Sequence, residues 1–139
     1  MPEKPLKASR RLSLKVLELA RDKKGLDLRL LEVGKISIVA DYFLLITGTN
    51  VIQVKSIADH ITLSLKKEGL LPLRVEGYRE GWWIIIDYGT LVVHVFQPEA
   101  REFYNLERLW ADAPLLEESF EKGADTADPA PAPPKGSAS

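Results

Sequence analysis

The sequence predicts an α/β or α+β fold, a mixed sheet of about five strands flanked by helices, and three observations predict it. Residues 42–47 read YFLLIT, an apolar run of strand length without alternation, as expected of a central strand covered on both faces. Residues 50–69 carry a helix signature from cap to stop. Residues 82–87 and 91–96 are two β-rich runs joined by Tyr88-Gly89-Thr90, the spacing of a tight antiparallel hairpin. Helices set among such strands bury their apolar stripes against the sheet.

Taken in order, residues 1–8 read as a tether. A helix follows with Ser9 as its N-cap, Leu12, Val16, Leu19 and Ala20 at helical spacing, and Lys23, Lys24 and Gly25 as a basic last turn and a stop. Over 27–33, Leu28, Leu30 and Val33 alternate with Asp27, Arg29 and Glu32, a strand with one solvated face as at a sheet edge. Gly34 and Lys35 turn the chain into a short extended piece over 36–40. After the central strand, Asn50 caps a helix and Gln53, three residues on, completes a capping box. Val54, Ile57, Ala58, Ile61 and Leu65 form its apolar stripe, and Gly69 ends it. A short strand over 74–76 and a polar turn over 77–81 precede the hairpin, whose closure around Tyr88-Gly89-Thr90 sets Asp87 beside Leu91 and His94 near Ile84. Pro98 then takes the first position of a last helix, which carries Phe103, Leu106 and Leu109 inward and reaches Trp110. From about Gly123, Ala, Pro, Ser and Gly dominate without periodicity, leaving nothing to pack. The expected organisation is a tether over 1–8, one domain over 9–115, and a disordered tail over 116–139, first acidic and then Pro/Ala-rich.

The totals agree with one soluble globular domain: 139 residues, 45% hydrophobic and 28% charged. No cysteine is present, which removes disulfides, thiolate metal sites and a cysteine nucleophile, and fits a reducing cytoplasm. No apolar run approaches the roughly 18 residues of a membrane helix, and no apolar stretch follows the basic N-terminus as a secretory signal needs. The net charge of −1 hides an asymmetry: residues 1–24 carry +5, residues 25–111 carry −2 and residues 112–139 carry −4. A nearly neutral core gains little from general attraction to phosphate, so nucleic acid is not its default partner. The basic helix face of Arg10, Arg11, Lys15, Arg21, Lys23 and Lys24 is read first as a solvated face, with contact to a polyanion as the lesser reading.

Several segments together resemble one family. Asp41-Tyr42-Phe43, Thr47-Gly48-Thr49, Gln53 and Ser56-Ile57-Ala58-Asp59-His60 come first. Gly69-Leu70-Leu71-Pro72 and Glu76-Gly77 continue the pattern, and Trp83-Ile84-Ile85-Ile86-Asp87-Tyr88-Gly89 with Val93-His94-Val95-Phe96 is its most specific part. Arg101, Phe103-Tyr104, Leu106-Glu107 and Leu109-Trp110 close it. This ordered set, over roughly residues 9 to 112, resembles the Iojap/RsfS family of ribosomal silencing factors. The resemblance implies a nucleotidyltransferase-like sheet flanked by helices. It also implies binding to the large ribosomal subunit through that subunit's universal protein fourteen, a steric block to subunit joining, and lowered translation when nutrients are scarce. Organellar relatives assist large-subunit assembly, which is the alternative role, and the family admits homodimers.

An enzyme of the nucleotidyltransferase kind needs a Gly-Ser turn and a strand with two carboxylates two residues apart to hold divalent metal. Gly48-Thr49 is a passable turn, but no two Asp or Glu in this chain stand at i, i+2. The chain also lacks G-x-x-x-x-G-K-[ST] and G-x-G-x-x-G loops. His60 and His94 are the only histidines, too few for zinc without cysteines, and neither has an evident nucleophile beside it. The expectation is a binding protein with no catalytic residue, no metal and no cofactor. Trp82 and Trp83 are neighbours on a strand and point to opposite faces, so one of them meets helices, another chain or solvent. The expected partner-binding residues are Glu76, Gly77, Trp83, Asp87, Tyr88, Gly89 and His94, with Trp83 as the aromatic anchor and Glu76 and Asp87 as acidic partners for a basic surface.

Overall fold

The structure, a computed structural model, describes residues 8–36, 38, 40–105, 108 and 115–118, the last four by backbone alone. Among these residues the order is α1 (Ala8–Asp22), β1 (Leu26–Leu31), a 3₁₀ turn (Val33–Lys35), β2 (Tyr42–Thr47), α2 (Val51–Lys67), β3 (Arg74–Glu76), β4 (Trp83–Asp87), β5 (Leu91–Phe96), α3 (Pro98–Tyr104) and β6 (Leu115–Glu118). The strands make one sheet in the order β3-β4-β5-β2-β1-β6. β2 and β5 run parallel, and every other neighbouring pair is antiparallel, so the sheet is mixed. The parallel pair is possible because α2 and the β3–β4 hairpin form the crossover between its strands.

The capping chemistry read from residues 50–53 does more than start a helix. Asn50 Oδ1 accepts from the Gln53 backbone N–H at 2.9 Å. The reciprocal bond lands one residue earlier than a standard box, where Gln53 Oε1 accepts from the Thr49 N–H at 2.7 Å. The Gln53 amide nitrogen then donates to the carbonyls of Lys23 and Lys24 at 3.2 and 3.0 Å. One side chain therefore caps α2 and satisfies carbonyls left over just past the end of α1.

Strand alternation divides the core into two layers. Beneath α1 and α2 lie Leu28, Leu30, Tyr42, Leu44, Ile46, Ile84, Ile86, Leu91, Val93 and Val95, packed against Val16, Ala20, Ile57, Ile61 and Leu65 of the helices. The opposite face carries Leu31, Phe43, Leu45, Val92 and Phe96 with Val33, Ala40 and Ala100, and Trp83 and Ile85 lean on this second cluster. As expected, β2 is central and buried at every position.

The structure corrects several local expectations. Ser9 is not a cap: it lies inside α1, where its carbonyl accepts the Ser13 hydroxyl at 2.8 Å. β1 is not an edge strand, because β6 pairs with it outside β2. β6 also runs across position 115, where the sequence reading sets the end of the domain. Val33–Lys35 wind into a 3₁₀ turn, and the extended piece expected over 36–40 falls partly outside the described residues. α3 ends at Tyr104, with Asn105 in the left-handed region at φ 49°, and Phe103 points outward at 76% exposure. Leu106, Leu109 and Trp110, and the tail beyond residue 118, lie outside the described residues.

Candidate docking face

The β4–β5 hairpin decides what the site contains. The Tyr88 N–H donates to the Leu91 carbonyl at 2.8 Å, so the turn has two residues, Gly89 and Thr90, rather than the three read from sequence. Gly89 takes φ +87°, which a side chain would strain, and the Asp87 carboxylate accepts its N–H at 2.8 Å. The register follows: Asp87 pairs with Val92, Ile85 with His94 and Ile84 with Val95. The expected pairing of His94 near Ile84 is thus one residue out, and a slip of one exchanges the faces. His94 stands on the side of Trp83, Ile85 and Asp87, away from α1 and α2.

That side of the hairpin holds a connected cluster. Trp83 Nε1–H donates to His94 Nδ1 at 3.1 Å, and the two rings lie 5.8 Å apart. Phe43 meets the His94 ring edge-on at 4.8 Å, and Phe96 lies 5.8 Å from the Trp83 ring. Tyr104 of α3 leans on the other side of Trp83 with centroids 4.5 Å apart. His94 is buried, and burial first, then the Arg101 guanidinium, hold its pKa down to about 3. It is therefore neutral, and since Nδ1 accepts, Nε2 carries the proton; that atom has no hydrogen-bond partner among the described residues. Trp83 is half-buried, held by a fixed hydrogen bond below and an aromatic neighbour beside it.

Acidic groups flank this cluster. Glu76 pairs across the sheet with Ile85 and is exposed, and Asp87 pairs with Arg74. Arg74 reaches both carboxylates at 3.5 Å. Gly77 begins the turn that leads back to β4 with φ +79°, and a Cβ there would stand 2.0 Å from the Trp83 carbonyl oxygen. The chain can approach Trp83 this closely only with glycine.

Of the seven expected residues, the structure brings Trp83, His94, Asp87 and Glu76 to one face, with Gly77 and Gly89 shaping the backbone beside it. Tyr88 does not join them. It is buried beneath the helices, its hydroxyl has no hydrogen-bond partner among the described residues, and burial pushes its pKa up to about 12. Trp82 is the exposed member of the tryptophan pair at 40% and stands just before β4 begins. Sequence reading missed Arg74, whose place opposite Asp87 needs the β3–β4 register, and Tyr104, whose contact with Trp83 needs the packing of α3.

The basic face of α1 is partly neutralised within the chain: Lys15 pairs with Glu68 of the α2 terminus, and Arg21 with Glu18 at 2.6 Å. His60 lies 3.2 Å from Asp22, linking α2 to α1. Among the described residues no three His, Asp or Glu side chains converge as a metal site, and no helix is long and apolar enough to cross a membrane.

A family model described as RsfS, ribosomal silencing factor during starvation, matches residues 6–138. The ribosomal silencing factor RsfS of Bacillus subtilis is 42% identical over 99 residues, covering 71% of this chain and 84% of that protein. A crystal structure of a protein from Chromobacterium violaceum superposes with a TM-score of 0.73 at 29% identity, covering 81% of this chain and 93% of that one. A mouse protein named mitochondrial assembly of ribosomal large subunit protein 1 is 28% identical over 98 residues, covering 68% of this chain and 43% of its own length.

Proposed function

The chain belongs to the RsfS family of ribosomal silencing factors, and from that premise we propose that it is a cytoplasmic, non-enzymatic repressor of translation. It docks on the large ribosomal subunit through the universal protein fourteen of that subunit, and its bulk blocks the approach of the small subunit. The observation that carries the docking face is Trp83: half-buried, pinned by His94 and flanked by the carboxylates of Glu76 and Asp87. A rigid aromatic of this kind loses little side-chain entropy on binding, and acidic neighbours complement a basic ribosomal protein. Contact of α1 with ribosomal RNA is peripheral to this reading.

Sedimentation through a sucrose gradient tests it, with co-migration of the chain with free large subunits as the expected result. Trp83→Ala is expected to weaken binding by about 2 kcal/mol or more, as for an interface anchor. Asp87→Lys sets like charge against a basic partner and is expected to weaken it too. Melting curves accompany each measurement. Folded variants that both bind and block subunit joining like the parent would move the docking face elsewhere. With Mg²⁺ or Mn²⁺ and each nucleotide, no turnover is expected; nucleotidyl transfer abolished by changing Asp41 or Asp87 would restore an enzyme.

A role in large-subunit assembly is the second reading, favoured by the name of the mouse relative. Depletion separates the two roles: immature large subunits accumulate if assembly is the task, whereas mature subunits that join too readily during starvation indicate silencing.

A further inference from the structure

The two sides of α3 have different chemistry. Ala100 and Arg101 face inward and are buried, and Arg101 Nη1 donates to the Asp27 carbonyl and to Thr47 Oγ1, each at 2.7 Å. Tyr104, one turn after Ala100, leans on Trp83. The outward side carries Glu99, Glu102 and Phe103, all exposed. Glu99 and Phe103 are spaced i, i+4, and Glu99 and Glu102 i, i+3, so the three share one face. Phe103 meets Tyr104 edge-on at 4.9 Å. Phe103, Tyr104 and Trp83 therefore form one aromatic ridge, running from the hairpin to an acidic outer face.

We infer that this ridge, with the carboxylates of Glu99 and Glu102, is a seat for an arginine or lysine side chain on a basic protein partner. The inference rests on the docking face proposed above and extends it onto α3. The aliphatic stem of such a side chain packs on the Phe103 ring while its cationic head reaches the two carboxylates. Continuity with Trp83 and the shared acidity of Glu76, Glu99 and Glu102 argue for one basic protein surface covering hairpin and helix together. A nucleic-acid strand fits less well: a base could stack on the rings, but its phosphates would lie beside two carboxylates.

Purified large ribosomal subunits are the probe, titrated with the full chain over a range of KCl concentrations. Phe103→Ser and the double variant Glu99→Lys/Glu102→Lys are each expected to bind at least about tenfold more weakly with melting unchanged, because all three side chains are exposed. A photoreactive benzoylphenylalanine at position 103 is expected to crosslink to a protein. Asp87→Lys serves as the reference for the docking face itself. If both α3 variants bind within about twofold of the parent while Asp87→Lys fails to bind, the α3 seat is overturned and the docking face stands. If all three bind like the parent, the docking face falls and the seat with it. If Phe103→Ser weakens binding but charge reversal leaves it unchanged or tightens it, or if the crosslink lands on ribosomal RNA, the basic-protein partner is overturned.

Discussion

Beneath α1 and α2, strands β1, β2, β4 and β5 present buried apolar side chains beside Tyr42 and Tyr88, and two helices cover them. On its other face the same strands present Phe43, Val92 and Phe96, but also His94, Arg29, Asp87 and Glu76, with the short α3 at one end. Each residue on one face has a neighbour in sequence on the other, so both come from the same stretches of chain. The first face is built to remove area from water and stabilises at about 25 cal/mol per Å² of apolar surface buried. The second spends part of its area on a neutral histidine that fixes an indole, on the half-buried Asp87 and on a Glu76 carboxylate left in solvent. One face therefore carries the larger core under two helices, and the other carries a second buried cluster rimmed by the half-buried Trp83 and Asp87 and the exposed Glu76.

If that division is right, substitutions on the two faces separate stability from binding. The largest stability loss is expected at Leu44, fully buried under the helices: Leu44→Ala should cost about 2–5 kcal/mol by urea denaturation, through lost transfer energy and a cavity. Gly77→Ala comes next, because its Cβ would collide with the Trp83 carbonyl at a positive φ. A loss of about 3 kcal/mol is expected, with binding weakened as well because β4 must shift. No loss on calorimetry would show that the turn accommodates a side chain.

The Trp83–His94 bond gives two sharper tests. Trp83→Phe keeps an aromatic ring but leaves His94 Nδ1 without its donor. It should cost about 1–3 kcal/mol in stability, less than Trp83→Ala. The pH dependence follows from His94. Its pKa is about 3 in the fold against an ordinary 6.5, so below pH 6.5 the unfolded chain takes up a proton that the folded chain refuses. The contribution is present in full above pH 6.5 and is lost as pH falls from 6.5 towards 3, amounting to about 2 kcal/mol between pH 7 and pH 5. Denaturation at both pH values should show this difference in the parent and not in His94→Leu; equal pH slopes would mean that His94 is protonated in the fold. The smallest stability change is expected for Asp87→Asn, which retains an oxygen to accept the Gly89 N–H and gives up an ion pair with a mostly exposed Arg74. It should shift stability by no more than about 1 kcal/mol while still weakening subunit binding, placing Asp87 on the opposite side of the comparison from Leu44.

How legible each feature is in the sequence varies with the distance over which it is decided. Local signals within a few residues read correctly: Asn50 and Gln53 announce α2, Pro98 starts α3, and the unbroken run of β2 marks a central strand. The family itself was legible from ordered short motifs. What failed depended on partners far along the chain. β1 looked like an edge because its alternation is half polar, and only the return of residues 115–118 gave it an outer neighbour. Phe103 looked like core because it is apolar in a helix, but the helix that carries it turns Ala100 and Arg101 inward instead.

By itself, then, the sequence determined the helices α1 to α3, the strands β1 to β5 and the parity of those strands, because hydrophobic period, caps and turn residues act over short range. Only the tertiary structure decided which face those residues share. A hairpin turn of two residues instead of three moves every pairing by one, and with a side-chain period of two that single step sets His94 beneath Trp83 rather than on the face of Ile84.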